Sequence, residues 1–172
     1  MLQNEGGYVN DKNDRGGETN LGISENFLID VKNRHKEYIN LQIKTLTLDQ
    51  AKELYHRFFW VPFSYDKFKK DSIAIKSFDI GVNIGGKSVI KLLQKSINRL
   101  TIGQYKELEI DGDVGGATLL ALSYCDEKPL YLAFLANIIA YYSNLKVHSS
   151  FRKGLMNRAK KNVNMQTYLW TK

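Results

Sequence analysis

The sequence predicts a mainly α-helical fold with a loop-rich front end, and three observations carry that prediction. From residue 24 onward, apolar residues recur three and four positions apart in one segment after another. The strand signal is weak and amounts to a short hairpin near residues 8 to 20. The first 22 residues, MLQNEGGYVNDKNDRGGETNLG, hold five of the thirteen glycines among many Asn and Asp, with almost no periodic apolar signal.

The elements follow in order. Ser24 can cap a helix from Glu25 to about Asn33, with Phe27, Leu28 and Val31 on one face. A charged connection runs from Arg34 to Lys44. Thr47 and Gln50 have the spacing of a capping box, so a second helix starts at Leu48, continues through Ala51, Leu54, Tyr55, Phe58 and Phe59, and ends before Pro62. Ser72 to Asn83 is apolar on nearly every side, interrupted only by Lys76 and Asp79, and is expected at the middle of the core. Gly85-Gly86 breaks that helix, and Lys87 to Leu100 forms an amphipathic one. Ile110 to Gly116 is turn chemistry, followed by a short helix from Ala117 to Tyr124. Pro129 suits the first turn of a long helix, Leu130 to Leu145, expected to be buried. A last helix, about Phe151 to Asn162, precedes a tail whose Tyr168, Leu169 and Trp170 are expected to pack back onto the body.

A chain of 172 residues suits one domain, or one domain built as two lobes, and its 43% hydrophobic and 25% charged content is that of a packed globular protein. The single cysteine, Cys125, has no partner for an internal disulfide and lies in an apolar stretch, where it acts as a small hydrophobe. His35, His56, His148 and Cys125 show no metal-ligand spacing, so neither metal nor cofactor is expected. The longest apolar run, Leu130 to Tyr142, is 13 residues, short of the roughly 20 that span a bilayer. The chain opens without a basic residue followed by an apolar run, so no secretory signal is read.

The net charge of +7 implies an acidic partner, whether nucleic acid, an anionic membrane or the bacterial wall. Basic residues cluster at Lys67, Lys69, Lys70 and at Arg152, Lys153, Arg158, Lys160, Lys161, but form no nucleic-acid recognition motif. Tyr8, Trp60 and Tyr65 could stack on sugars, although core packing is the commoner role for each.

The front end gathers Glu5, Asp11, Asp14 and Glu18 with the neutral hydrogen-bonding groups of Asn10 and Thr19. Glycoside hydrolysis needs one protonated carboxyl to donate to the leaving oxygen, and a second group to activate water or stabilise the oxocarbenium ion. Flanking glycines let a sugar approach Glu5, and apolar neighbours would raise its pKa, whereas Asp14, beside Arg15 and Gly16-Gly17, stays ionised more readily. The bland alternative is that these residues only build Asx-turns and caps. Asp11 to Glu18 departs from the calcium-loop pattern and lacks its twelfth-position glutamate.

Glu5-Gly6-Gly7-Tyr8-Val9-Asn10-Asp11, with Asp14, Gly16-Gly17-Glu18-Thr19 and Gly22-Ile23-Ser24, closely resembles the signature of glycoside hydrolase family 108, N-acetylmuramidases formerly described as secretion activators. The segment Leu48 to Pro62 is similar to that family's second helix and its Tyr-Trp-Pro-type close. Phe78-Asp79, Val82-Asn83, Lys91-Leu92-Leu93-Gln94 and Ile110 to Gly115 resemble a predicted peptidoglycan-binding module; Gly116 stands where that module often has proline, and Leu155 where an aromatic is common.

The resemblance implies a lysozyme-like, two-lobed helical domain, with residues 1–70 the catalytic lobe and 71–172 a peptidoglycan-binding-like module, packed as one compact unit. It places the general acid at Glu5. Asp14 and Thr19 take the positions of base or water-positioning groups, their spacing being similar to that of phage-type lysozymes with one residue fewer before Thr19. Tyr8, Asn10, Asp11, Glu18 and Asn83 are the implied substrate-binding residues. The implied substrate is the peptidoglycan glycan strand, cut between N-acetylmuramic acid and N-acetylglucosamine by a monomer at the cell wall or periplasm. The competing class is a wall-binding or secretion-related protein without turnover.

Overall fold

The computed structural model describes Tyr8, residues 17–146 and residues 149–161. Among the described residues are seven α-helices, five shorter helical turns and one two-stranded ribbon, the mainly-α class that the sequence predicts. They fall into two compact units, the first ending at Phe58 and the second beginning at Phe59.

In the first unit, β1 (Thr19–Asn20) pairs antiparallel with β2 (Ile23–Ser24), Thr19 opposite Ser24 and Asn20 opposite Ile23. The ribbon therefore lies at the end of the 8–20 stretch and beyond it. Leu21 (φ 51°) and Gly22 (φ 76°) form its two-residue loop, and both positive φ values match the turn that follows strand twist. Leu21 is an unusual occupant of that region, so neighbouring contacts must hold it. The Asn20 side chain donates to the Ile43 carbonyl at 2.8 Å and the Tyr55 hydroxyl to the Leu21 carbonyl at 3.4 Å.

Ser24 ends β2 and caps α1 (Glu25–Arg34), accepting from the Phe27 amide at 3.3 Å, while Leu28 and Val31 are buried. Both bonds of the Thr47/Gln50 capping box open α2 (Leu48–Tyr55). The regular helix stops at Tyr55, earlier than the apolar pattern suggests. A wider π turn, His56–Trp60, continues it to a 3₁₀ turn at Val61–Phe63, because Pro62 has no amide to donate and its ring crowds the preceding backbone. The charged connection after α1 folds into 3₁₀ turns at Lys36–Tyr38 and Ile43–Thr45. Arg57 fixes it, pairing with Glu37 at 2.7 Å and bonding the Tyr38 hydroxyl at 3.0 Å, while that hydroxyl reaches Glu53 at 2.7 Å.

The second unit is built on α3 (Asp71–Ile84), α4 (Gly86–Leu100), α5 (Gly116–Tyr124), α6 (Glu127–Ser143) and α7 (Ser149–Lys160). Helix α4 packs on both α3 and α6, and α6 on α7. Ile73, Ile75, Phe78, Ile80, Ile90, Leu93, Ile97, Phe134 and Ile138 are essentially inaccessible, each worth about 1.5–3 kcal/mol of transfer free energy. Trp60 and Tyr65 are also buried, their rings 5.4 Å apart edge to face. They are core residues and offer no face to a sugar.

The two polar interruptions of α3 are structural. Lys76, buried in the core, donates through Nζ to the carbonyls of Ala159 and Lys161 at 2.9 Å each, closing the C-terminal end of α7. Asp79 accepts from Arg158 at 3.1 Å. Burial pushes the Lys76 ammonium below its usual pKa, with the Asp79 charge opposing.

Helix α6 departs from the sequence expectation. It is apolar all round, yet only Leu130, Phe134, Ile138 and Tyr142 are buried, one residue per turn, and Leu132 is 57% exposed. Cys125 is buried, as a small hydrophobe would be.

Candidate functional site

Of the residues singled out in the sequence, Glu5, Asn10, Asp11 and Asp14 lie outside the described residues. Tyr8, Glu18 and Thr19 belong to the first unit and Asn83 to the second.

The frame around the first three is set by the ribbon. Gly17 (φ 77°) turns the chain into it, and a methyl group there would stand 3.0 Å from the Glu25 carboxylate, so only glycine fits without displacement. The Glu18 carbonyl accepts from the Glu25 amide at 2.8 Å, tying the entry of β1 to the first turn of α1. Thr19 follows in β1, half-buried, its side chain without a hydrogen-bond partner among the described residues. The Asn20 and Tyr55 bonds then tie the ribbon to the second 3₁₀ turn and to α2, next to Thr19 in the chain.

Lys44, on the second 3₁₀ turn, links the parts. Its ammonium lies 3.3 Å from the Glu18 carboxylate and 5.9 Å from the centre of the Tyr8 ring. Glu18 is largely buried, with 18% of its side chain accessible. The hydrogen bond and charge of Glu18, with a contribution from Tyr8, hold the Lys44 pKa above its usual value, so it is a fixed cation at neutral pH. Beside this bridge is a hollow of about 290 Å³ lined by Glu18, Glu25, Lys32, Gln42 and Lys44, with Leu28, Ile29 and Ile43 as its apolar part.

The arrangement thus brings Tyr8 and Glu18 together through one lysine and places Thr19 next to them in the chain. Its mixed charges and hydrogen-bonding groups suit a polar, hydroxyl-rich ligand. Asn83 is exposed on α3 and donates to the Asp79 carbonyl of its own helix at 3.0 Å. Among the described residues there is no cluster of metal-ligating side chains.

Lys44, Asn20 and Tyr55 were not among the residues the sequence marks as functional. Lys44 lies in a connection read only as charged, and Tyr55 at a core-facing helix position. Partners 23 to 36 residues away give none of the three a local signal.

Residues 1–85 match the family model described as Glycosyl hydrolase 108. That stretch takes in the ribbon, α1, α2 and α3 as far as Gly85, where a φ of 85° ends the helix. The match supports a glycosidase. No curated protein gives a significant match. Among solved structures, the structure of Brucella abortus SagA is similar, with a TM-score of 0.74 and 24% identity, over 92% of this chain and 84% of that one. At that identity the likeness speaks to the fold, which the two chains share along most of their length. No described helix is long and apolar enough to cross a membrane.

Proposed function

We propose that this chain is a peptidoglycan hydrolase of the muramidase type, cleaving the bond between N-acetylmuramic acid and N-acetylglucosamine with Glu5 as the general acid. The observation that carries the reading is the Glycosyl hydrolase 108 match, which spans the Glu5-Gly6-Gly7-Tyr8 motif and the whole frame behind it. The Lys44 bridge supports it, because it ties Tyr8, three residues past Glu5, to Glu18 at the entry of the ribbon that carries Thr19.

In this mechanism the Glu5 carboxyl holds its proton near neutral pH and delivers it to the bridging oxygen as the glycosidic bond breaks. Asp14, ionised, stabilises the positive charge that develops on the sugar ring or takes a proton from the attacking water; Thr19 orients that water. Tyr8, Asn10, Asp11, Glu18 and Asn83 bind the glycan. Residues 1–70 form the catalytic lobe and residues 71–172 the wall-binding module of a monomer working at the cell wall or periplasm. The basic surface draws the enzyme toward anionic wall polymers, acting over about 8 Å at physiological salt.

The test is turbidity clearing of purified peptidoglycan by the unaltered chain and by Glu5→Gln. Clearing that falls at least about a hundredfold in the variant, in line with loss of a general acid, is expected. Equal clearing by both would remove Glu5 from the role. Tight wall binding without clearing by either would favour a non-catalytic wall-binding or secretion-related protein.

A further inference from the structure

The second unit contains a hollow that the proposed reaction does not use. It measures about 550 Å³ and lies between the end of α4 and the start of α6, with Thr101, Gln104, Tyr105, Tyr124 and Asp126 on its walls. Pockets that take small ligands run from about 300 to 1,000 Å³, so the space is adequate for sugar units.

We propose that this hollow is a second carbohydrate subsite, taking an N-acetylhexosamine unit of a glycan strand. The inference rests on the reading that the substrate is peptidoglycan glycan, and three observations give it this location.

The first is aromatic. Tyr124 ends α5 with 67% of its surface exposed, and its ring centre is 5.6 Å from that of Tyr105 at an interplanar angle of 41°. Two adjacent tilted tyrosine rings offer apolar faces to the C–H side of a pyranose, and their hydroxyls offer hydrogen bonds at its edge.

The second is a capping residue that does not cap. Asp126 occupies the N-cap of α6, where an Asp side chain ordinarily accepts from the first-turn amides, yet it makes no such bond. Neither its carboxylate nor the exposed Gln104 amide has a hydrogen bond or ion pair among the described residues. An acceptor and a donor–acceptor amide on one rim suit hydroxyl and acetamido groups.

The third is charge. The walls carry one carboxylate and no cation, which disfavours a phosphate, a nucleic acid or another anion, and leaves a neutral hydroxylated ligand as the fitting class.

The experiment is an amide and side-chain NMR titration of the full chain, carrying Glu5→Gln to prevent cleavage, with the N-acetylglucosamine tetramer as probe. Saturable shifts at Gln104, Tyr105, Tyr124 and Asp126 are expected. Tyr124→Ala should weaken that site by about tenfold, and Gln104→Ala should weaken it too, both with the thermal midpoint kept because both residues are exposed. Shifts confined to other residues, or none at all, would overturn the subsite. So would shifts at these residues that follow protein concentration in step with slower tumbling, which would give the hollow to a second copy of the chain. Peptidoglycan clearing by the unaltered chain, measured separately, reports on the hydrolase reading, so either idea can fail while the other stands.

Discussion

Lys44 is a single exposed side chain that bridges the Glu18 carboxylate and the Tyr8 ring. Surface ion pairs usually contribute little because solvent screens them, so Lys44→Met should leave the thermal midpoint nearly unchanged. Its effect should fall on activity. With the link between Glu18 and Tyr8 gone, we expect peptidoglycan clearing to drop about tenfold, since small misplacements near a reacting centre are costly. Restoration by Lys44→Arg would identify the cation as the positioning group, and unchanged clearing by Lys44→Met would assign the bridge to the surface alone. Gly112 behaves oppositely. Its φ is 82°, and an added methyl would sit 2.6 Å from the Lys87 carbonyl, a backbone atom with no room to move. Gly112→Ala should therefore lower stability by more than about 1 kcal/mol, read as a shifted denaturant midpoint.

At the scale of elements, the loop from Ile110 to Gly115 shows how a turn is made rigid from outside. Gln94, buried on α4, accepts from the Gly112 amide at 2.9 Å and donates to the Asp111 carboxylate at 2.7 Å and the Asp113 carbonyl at 3.1 Å. The Asp113 amide, then the Gln94 side chain, hold the Asp111 carboxyl below its usual pKa. A depressed carboxylate contributes stability that is present above its unfolded-state value and is lost as pH falls through the folded one. Asp111→Asn should flatten the acid limb of the unfolding curve between those two values, and an unchanged acid limb would contradict the account.

Helices with a clear stripe and a local cap were legible in the sequence, as α1 with Ser24 and α2 with its Thr47/Gln50 box show. Helix α6 was legible only as a helix. Its residues are apolar on every side, so composition cannot say which stripe faces inward, and packing on α4 decides. The ribbon was misplaced because two-residue strands have no period to read, and its Leu21-Gly22 loop lacks the usual Asn-Gly signal. Lys76 and Asp79 looked like interruptions of a core helix because their partners, about 80 residues on, leave no trace in local pattern. The front-end motif stands out in the sequence for a different reason: it crowds glycines and carboxylates where almost no periodic apolar signal calls for a core.

For the whole molecule, a stretch that matches the Glycosyl hydrolase 108 model and a helical second unit lie within one chain of net charge +7. Several basic residues that look free in the sequence are used internally. Lys70 donates to the Leu122 carbonyl at 3.0 Å near the end of α5, Arg152 to the Leu145 carbonyl at 2.7 Å, and Lys76 and Arg158 hold α7 to α3. Bonds to neutral carbonyls leave those charges in place, so the net charge of +7 still acts at long range, and clearing of anionic walls should weaken between about 50 and 200 mM salt. The central claim concerns which bond breaks and which group gives the proton. Mass spectrometry of the soluble fragments released from purified peptidoglycan tests it most directly. The account predicts new reducing ends on N-acetylmuramic acid from the unaltered chain and none from Glu5→Gln at equal thermal stability; new ends on N-acetylglucosamine, or the same muramic ends from both proteins, would contradict it.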